Sequence, residues 1–480
     1  MKIKNFTTFS LILLLILGFS SCSSDSSDDP VEITVTTSDF TVNIDENPSN
    51  GQVIGTVAGA TNQGSVIFSI TEQTPSSAFA IDSNTGELTV ANETLYDYET
   101  NPTITGIVKV ANGDVFENSN IVIGVNDINE VNTYVGDVQL LTQEDVEEFG
   151  NNNYTEITGS LYIGDWTLPD NVSITNLSPL SSLNTIGYRL YIAHNNGLVN
   201  LNGLNTISSI GGYLRIIDND ILTDITALSN IQNVYEDLFI YENDILTNLE
   251  GLNGITTIGT SLLIQHNYSL ENIDGLINLN VLGEGIYVSN NNVLLNIDGL
   301  SNVVSAGNDS FGGIDIIDNN SLVSINGLES ITFLNGGLGI GGNPMLVSLN
   351  GIENITYIEG NLSIGGNDLI ININELNNIT YVGDTVSIYE NPLLVNIDGL
   401  SNINAIGFGL TIFDNDELIN LDGLNNLNSA YEIKILLNNT LQDLCGLSNL
   451  VINGNINNYQ TMGNAYNPTQ QDIIDGNCSL

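Results

Sequence analysis

The sequence predicts an all-β protein in two parts, a β-sandwich over residues 31–130 and a parallel β-solenoid with short capping helices over 131–480. Three observations carry this reading. Short runs of alternating apolar and polar residues, broken by Asn, Gly and Pro, fill the first part. From Leu161 onward an apolar-x-apolar unit recurs, mostly every 24 residues, with an asparagine five places after its first anchor from Leu190 on. Finally, 480 residues of which 41% are hydrophobic exceed what one core needs and suit two domains or one long array.

The N-terminus carries Lys2 and Lys4, then the apolar run Phe9–Phe19, then small residues ending at Cys22. This is the pattern of a secretory leader over residues 1–21, and no later segment approaches a membrane span. FSSC, Phe19–Cys22, resembles the lipobox of bacterial lipoproteins, which implies lipidation of Cys22; Phe19 stands where that motif usually has Leu. The following Ser23–Pro30 is similar to the acidic tether of surface-exported lipoproteins of Bacteroidota, and a plain flexible linker is the other reading. The expected location is the bacterial outer membrane, held by lipid alone and facing outward.

Lys and Arg total 6 against 56 Asp and Glu, a formal charge of -50. Such a surface repels phosphate backbones and anionic headgroups, which excludes nucleic acid as a partner. It is either merely solvated or collects divalent cations. With Cys22 lipidated, Cys445 and Cys478 remain, and an even pair in an exported chain reads as a disulfide closing a loop of 33 residues.

Within residues 31–130 the strand candidates are ITVTT, QVIGTV, VIFSI, GELTV, TITGIVKV and SNIVIGV. IDENPSNGQVIGTV (Ile44–Val57), FAIDSNTGELTV (Phe79–Val90), LYDYE (Leu95–Glu99) and VNDINE (Val125–Glu130) resemble, in order and spacing, the motifs of a cadherin repeat. That resemblance implies calcium, held by Glu46, by the pair Asp97 and Glu99, and by Asp127, Asn129 and Glu130 at one tip of the domain. The residue types suit the chemistry, because Ca²⁺ takes six to eight hard oxygens. No second repeat follows to complete the shell; Asp137, Glu144 and Asp145 of the next segment are the substitutes on offer. A solvated acidic loop cluster is the alternative.

Beyond residue 130 the anchors are Leu161, Leu190, Leu214, Leu238, Leu262, Ile286, Ile314, Leu338, Leu362, Val386, Leu410 and Ile433, twelve coils in all. The asparagines are Asn195, Asn219, Asn243, Asn267, Asn291, Asn319, Asn343, Asn367, Asn391, Asn415 and Asn438. Where stacked coils turn, backbone groups point inward without a strand to pair them, and an inward amide satisfies them. A column of stacked Asn is expected. The pattern resembles the receptor L-domain, related to leucine-rich repeats, which implies a right-handed β-helix with one parallel strand per face and coil. Leu141–Gly164 resembles that family's N-terminal cap, with Thr142 and Asp145 spaced as a capping box, and Asn467–Gly476 reads as a second capping helix tied down through Cys478.

The residue between the anchors points to solvent, which gives an outward row of Tyr162, Tyr191, Arg215, Phe239, Leu263 and Tyr287, then Asp315, Gly339, Ser363, Ser387, Thr411 and Lys434. At the position just beyond the second anchor lie Ile217, Tyr241 and Gln265. The candidate ligand face is Tyr191, Arg215, Phe239, Tyr241, Leu263 and Tyr287; it serves either as a platform for a sugar or protein, or as plain cross-strand packing. Corner carboxylates such as Asp218, Glu242 and Asp414 read as a solvated rim or a calcium edge. No enzyme is expected. A β-helix polysaccharide lyase or hydrolase needs a basic cluster or a carboxylate pair, and the solenoid offers only Arg189, Arg215 and Lys434, widely spaced, and a lone outward Asp315. The expected role is calcium-dependent adhesion or ligand recognition at the cell surface, with the first domain as stalk; surface glycan capture is the alternative, and a β-helix polysaccharide-degrading enzyme is the third reading.

Overall fold

The computed structural model describes residues 31–128, 131–165, 174–306 and 312–480. The leader, Cys22 and the tether lie outside the described residues, as do Asn129 and Glu130. The chain divides into two compact units, residues 1–129 and 130–480.

In the first unit the predicted alternation becomes a sandwich. Its larger sheet has the order Phe40–Asp45, Val115–Asn126, Thr103–Asn112, Ile67–Thr74, with the first pair parallel and the others antiparallel. The smaller sheet runs Val53–Thr56, Glu87–Val90, Phe79–Ile81, and Val35–Thr37 pairs with Gly59–Thr61. One side of each strand faces inward, as in Val115–Asn126, where Ile121, Ile123 and Val125 are buried and the residues between them are not. Phe68, Phe79, Leu88, Tyr96 and Ile104 fill the space between the sheets. Tyr96 is fully buried and donates to Ala78 O at 3.2 Å, and burial pushes its hydroxyl pKa up to about 12.

The second unit is a stack of parallel coils. Among the described residues fourteen strands form its long sheet, in strict register: Leu190 stands beside Leu214, Tyr191 beside Arg215, and Leu214 beside Leu238. This corrects the count of twelve. The extra strands are Val138–Leu140 and Asn458–Met462. The last is hidden in the sequence because Tyr459 and Thr461 replace apolar anchors; both hydroxyls donate to Pro468 O, at 3.1 and 3.0 Å, so the capping segment satisfies them. At about 4.8 Å per strand the sheet is about 60 Å long.

The asparagine column forms, and among the described residues it has twelve rungs rather than eleven, because Asn464 continues it. Asn195 to Asn438 are each 0% exposed. A single rung shows the chemistry: Asn291 Nδ2 donates to Ile264 O of the preceding coil (2.8 Å), to Ser289 O (3.1 Å) and to Asn319 Oδ1 (3.2 Å), and its own Oδ1 accepts the backbone N–H of Asn267 (3.1 Å). Each amide thus neutralises backbone groups of two coils, which is why an otherwise aliphatic interior tolerates it.

One expectation is met only in part on the other sides of the coil. Among the described residues a second parallel sheet of two-residue strands runs over seven coils, from Thr133–Tyr134 to Val281–Leu282, and resumes as single bridges from Ala306 through Leu334 and Ile358 and as the pair Tyr381–Val382 and Ala405–Ile406, while the third side carries 3-10 turns in place of strands. The turns have a local cause. In Asp298–Leu300 and Asp422–Leu424 the asparagine two residues before the turn, Asn296 or Asn420, accepts the first backbone N–H at 3.0 Å. The second turn residue is glycine because coils approach closely there: a Cβ on Gly299 or Gly423 would lie 2.0 Å from a carbonyl of the preceding coil.

Glu375 breaks that rule, and its turn lengthens to Asn374–Asn378. Its Oε2 is buried without a hydrogen bond, and burial, aided by Glu353, raises its pKa. A raised value means that the contribution of Glu375 to stability is present below the ordinary glutamate range and lost as pH rises through the folded value. Glu375→Gln is therefore expected to stabilise the protein at pH 7 by less than about 1 kcal/mol after solvent screening, with the gain gone at acid pH. Urea midpoints at both pH values measure it.

Both ends are closed as predicted from spacing. Thr142 caps Gln143–Gly150 in a reciprocal box with Asp145, and Thr469 caps Gln470–Ile474 with Asp472. Cys445 and Cys478 are bonded. No helix among the described residues is long and apolar enough to cross a membrane.

Candidate functional site

Glu46 lies just past the strand Phe40–Asp45 and is only 3% exposed. Two backbone donors fix its carboxylate: Tyr98 N–H to Oε2 at 2.8 Å and Ile128 N–H to Oε1 at 2.5 Å. Asp97 is held from one side by Thr100, whose N–H and hydroxyl donate to its two oxygens at 3.0 and 3.1 Å. Glu99 stands exposed beside them. One oxygen from each of Glu46, Asp97 and Glu99 lies within 4.8 Å of the others. Oxygens on opposite sides of one Ca²⁺ stand about 4.8 Å apart, twice the ordinary bond length, so the three fit one shell. Without a cation each such pair repels by about 1 kcal/mol in water and about 3 kcal/mol at an effective dielectric of 20.

Three of the six sequence-predicted calcium ligands therefore come together. Asp127 is exposed and is not part of this group. Asn129 and Glu130 lie outside the described residues. Two of the three substitutes have other work: Asp137 accepts Ser160 N–H at 2.7 Å, and Asp145 accepts Leu141 and Thr142 N–H at 2.9 and 2.8 Å. The corner carboxylates form no comparable group among the described residues. Asp218 instead meets His194 Nδ1 at 2.6 Å.

On the long sheet the predicted row is outward but only half exposed, because neighbouring side chains pack shoulder to shoulder. Tyr162 and Tyr191 stand 6.2 Å apart between ring centres, and Tyr191 and Tyr213 6.3 Å. Arg189 and Arg215 both lie over the ring of Tyr213, with guanidinium carbons 4.7 and 4.1 Å from its centre. Each arginine is also ion-paired, Arg189 with Glu236 at 3.3 Å and Arg215 with Asp237 at 3.2 Å. Phe239, Tyr241, His266 and Tyr268 continue as a chain of ring contacts at 5.3, 5.3 and 6.2 Å. A hydrogen bond to Glu242 pushes the Tyr241 hydroxyl up to about 12, so it remains a donor at neutral pH. Leu263 and Tyr287 follow in register beside Phe239.

Sequence reasoning missed Tyr213, His266 and Tyr268. Tyr213 precedes its anchor, between Arg189 and Asp237 in the same column, and reading that column as well as the outward row would have found it. The result is a flat aromatic surface with cations already neutralised, suited to stacking against polar rings or a protein surface.

No family model matches the chain, and no curated protein matches it. Among solved structures it is similar to Protocadherin Gamma B2 extracellular cadherin domains 3-6 (22% identity, TM-score 0.19, covering 21% of this chain and 23% of that one). It is also similar to mouse Cadherin-23 EC22-24 (21% identity, TM-score 0.18, covering 22% and 38%) and to human Protocadherin-24 EC1-2 (17% identity, TM-score 0.18, covering 22% and 53%).

Proposed function

We propose that this protein is a lipid-anchored surface protein of a bacterial outer membrane that recognises or adheres to extracellular partners in a calcium-dependent way. The observation that carries the reading is the meeting of Glu46, Asp97 and Glu99. These residues are 53 positions apart at the extremes, and a buried glutamate fixed by two backbone N–H groups is a prepared ligand rather than a stray surface acid. The chain offers Glu46 and Asp97 held by hydrogen bonds, with the exposed Glu99 already beside them; bound Ca²⁺ would cancel their repulsion and stiffen the tip. The motif resemblance of residues 44–130 supports the same assignment, and the lipobox-like FSSC ahead of an acidic tether supports the location.

In this reading the sandwich is the stalk and the aromatic half of the long sheet meets the partner, an extracellular protein or glycan. A glycan is favoured as a second reading by one feature, the ring chain from Phe239 to Tyr268, since sugar faces stack on such platforms. Beads coated with the mature chain are expected to aggregate in calcium and disperse in chelator, and the effect should weaken in Phe239→Ala with Tyr241→Ala. Aggregation indifferent to both calcium and the double substitution would reject the proposal; capture on a glycan array, lost in the same variant, would select the second reading.

A further inference from the structure

Among the described residues only two carboxylates lie on strands of the long sheet, Asp315 in Gly313–Ile317 and Glu432 in Glu432–Leu436. Glu432 is neutralised by Lys434 at 2.7 Å, and Asp237, just before its strand, by Arg215. Asp315 is half-buried, and no hydrogen bond or ion pair from the described residues reaches it. Burial with no compensating charge raises its pKa. A carboxylate in that condition is less stable than one given a cation.

Its surroundings are shaped around it. The next two strands present glycine where other coils carry side chains, at Gly337, Gly339, Gly341 and Gly365, so the sheet sinks into two adjoining hollows of about 370 and 330 Å³ that share Asp315, Gly339 and Ser363. A Cβ on Gly339 would lie 2.3 Å from the Asp315 carboxylate, so glycine there is what leaves room for it. Tyr287 walls one end of the trough and Tyr389, whose ring lies over Gly365, the other. Tyr287 stands directly beside Asp315 on the preceding strand, and the strand of Tyr389 is four steps further along the sheet than that of Tyr287. Among the described residues the other charged lining groups are Asp318, Asp384 and Glu390, and no lysine or arginine lines it.

We propose that this trough binds a cationic side chain, arginine or lysine, carried on a short extended segment of a partner protein, with the cation on Asp315 between the two tyrosine walls. Charge complementarity selects this occupant over an acidic segment, and the aromatic walls suit a guanidinium, which pairs with a carboxylate through two parallel N–H bonds and stacks on rings. The inference names the ligand chemistry for one part of the sheet and rests on the recognition reading above, but it uses residues distinct from Phe239 and Tyr241.

The test is calorimetric titration of the full mature chain, at physiological salt, with acetyl-Gly-Arg-Gly-amide and with the same peptide carrying neutral citrulline. The arginine peptide is expected to bind, with affinity roughly tenfold or more above the citrulline peptide, and Asp315→Asn should abolish that difference. Gly339→Val, which fills the floor, should do the same, and Asp274→Asn, an exposed carboxylate on a 3-10 turn, should change nothing. If Gly339→Val fails to fold, the isosteric Asp315→Asn decides alone. Equal binding of the two peptides, no saturable binding, or an equal loss in Asp274→Asn would overturn the proposal; so would a neutral oligosaccharide whose binding depends on Asp315 while the arginine peptide's does not. Loss of partner binding in Phe239→Ala with Asp315→Asn silent would refute this inference and leave the recognition reading standing.

Discussion

Asn291→Leu is expected to destabilise the solenoid by about 3–5 kcal/mol, although leucine matches the volume and the neighbourhood is aliphatic. The substitution removes the acceptor of the Asn267 backbone N–H and the donors to Ile264 O and Ser289 O, all inside the stack. A single orphaned buried group costs about 1–3 kcal/mol, and several are created at once. Asn291→Asp should be at least as damaging at neutral pH, since it keeps the acceptor but removes both donors and buries a charge. Because each coil touches only its neighbours, the loss should appear first around residues 264–319. Urea unfolding together with amide hydrogen exchange across those coils reads both the magnitude and the place; a variant as stable as the parent would mean that the column does not satisfy the backbone.

Removing the Cys445–Cys478 bond by paired serine substitutions is expected to cost about 3–4 kcal/mol, the loop-closure value for a separation of 33 residues. The bond holds the tail against the last coil, where Leu444 N–H donates to Cys478 O at 2.9 Å and Leu480 N–H to Gln442 O at 3.1 Å. Freed, the segment that carries Gln470–Ile474 should detach and uncover the edge strand Asn458–Met462, a template for pairing with other chains. The variant should therefore unfold earlier and also self-associate, which light scattering during a thermal ramp measures. A melting curve unchanged by reduction would contradict this.

The repeat was legible because its physics leaves a residue-level trace. Every inward corner needs an amide, so asparagine returns at each turn, and every coil needs its two anchors, so Leu190-x-Ile192 and its successors spell out the register. The same logic explains what stayed hidden. The strand Asn458–Met462 has hydroxyl side chains satisfied by the cap, which no apolar template finds. The 3-10 side is written in Asn and Gly three residues apart, as Asn296 with Gly299 and Asn420 with Gly423, a turn signal easily absorbed into a strand-per-face scheme. The trough is marked by missing side chains at Gly337, Gly339 and Gly341, and absence reads as neutral until register places those glycines beside Asp315. In the sandwich, the distant Glu46 and Asp97, named together by the motif resemblance, lie in one acidic cluster with Glu99, each held by backbone or hydroxyl donors. Asp127 carried the same motif signal and is not one of the three grouped carboxylates, although the N–H of its neighbour Ile128 engages Glu46.

The most direct test of the functional account is calcium-dependent melting of the full mature chain followed by calorimetry. The Tm of the sandwich transition should rise as calcium is added, by the linkage expected of a ligand that binds only the folded state. Asp97→Asn, which keeps the side-chain shape but removes one charge of the cluster, should abolish most of that rise. A sandwich transition indifferent to calcium in the parent protein, or a rise that survives in Asp97→Asn, would contradict the assignment of Glu46, Asp97 and Glu99 as a calcium centre.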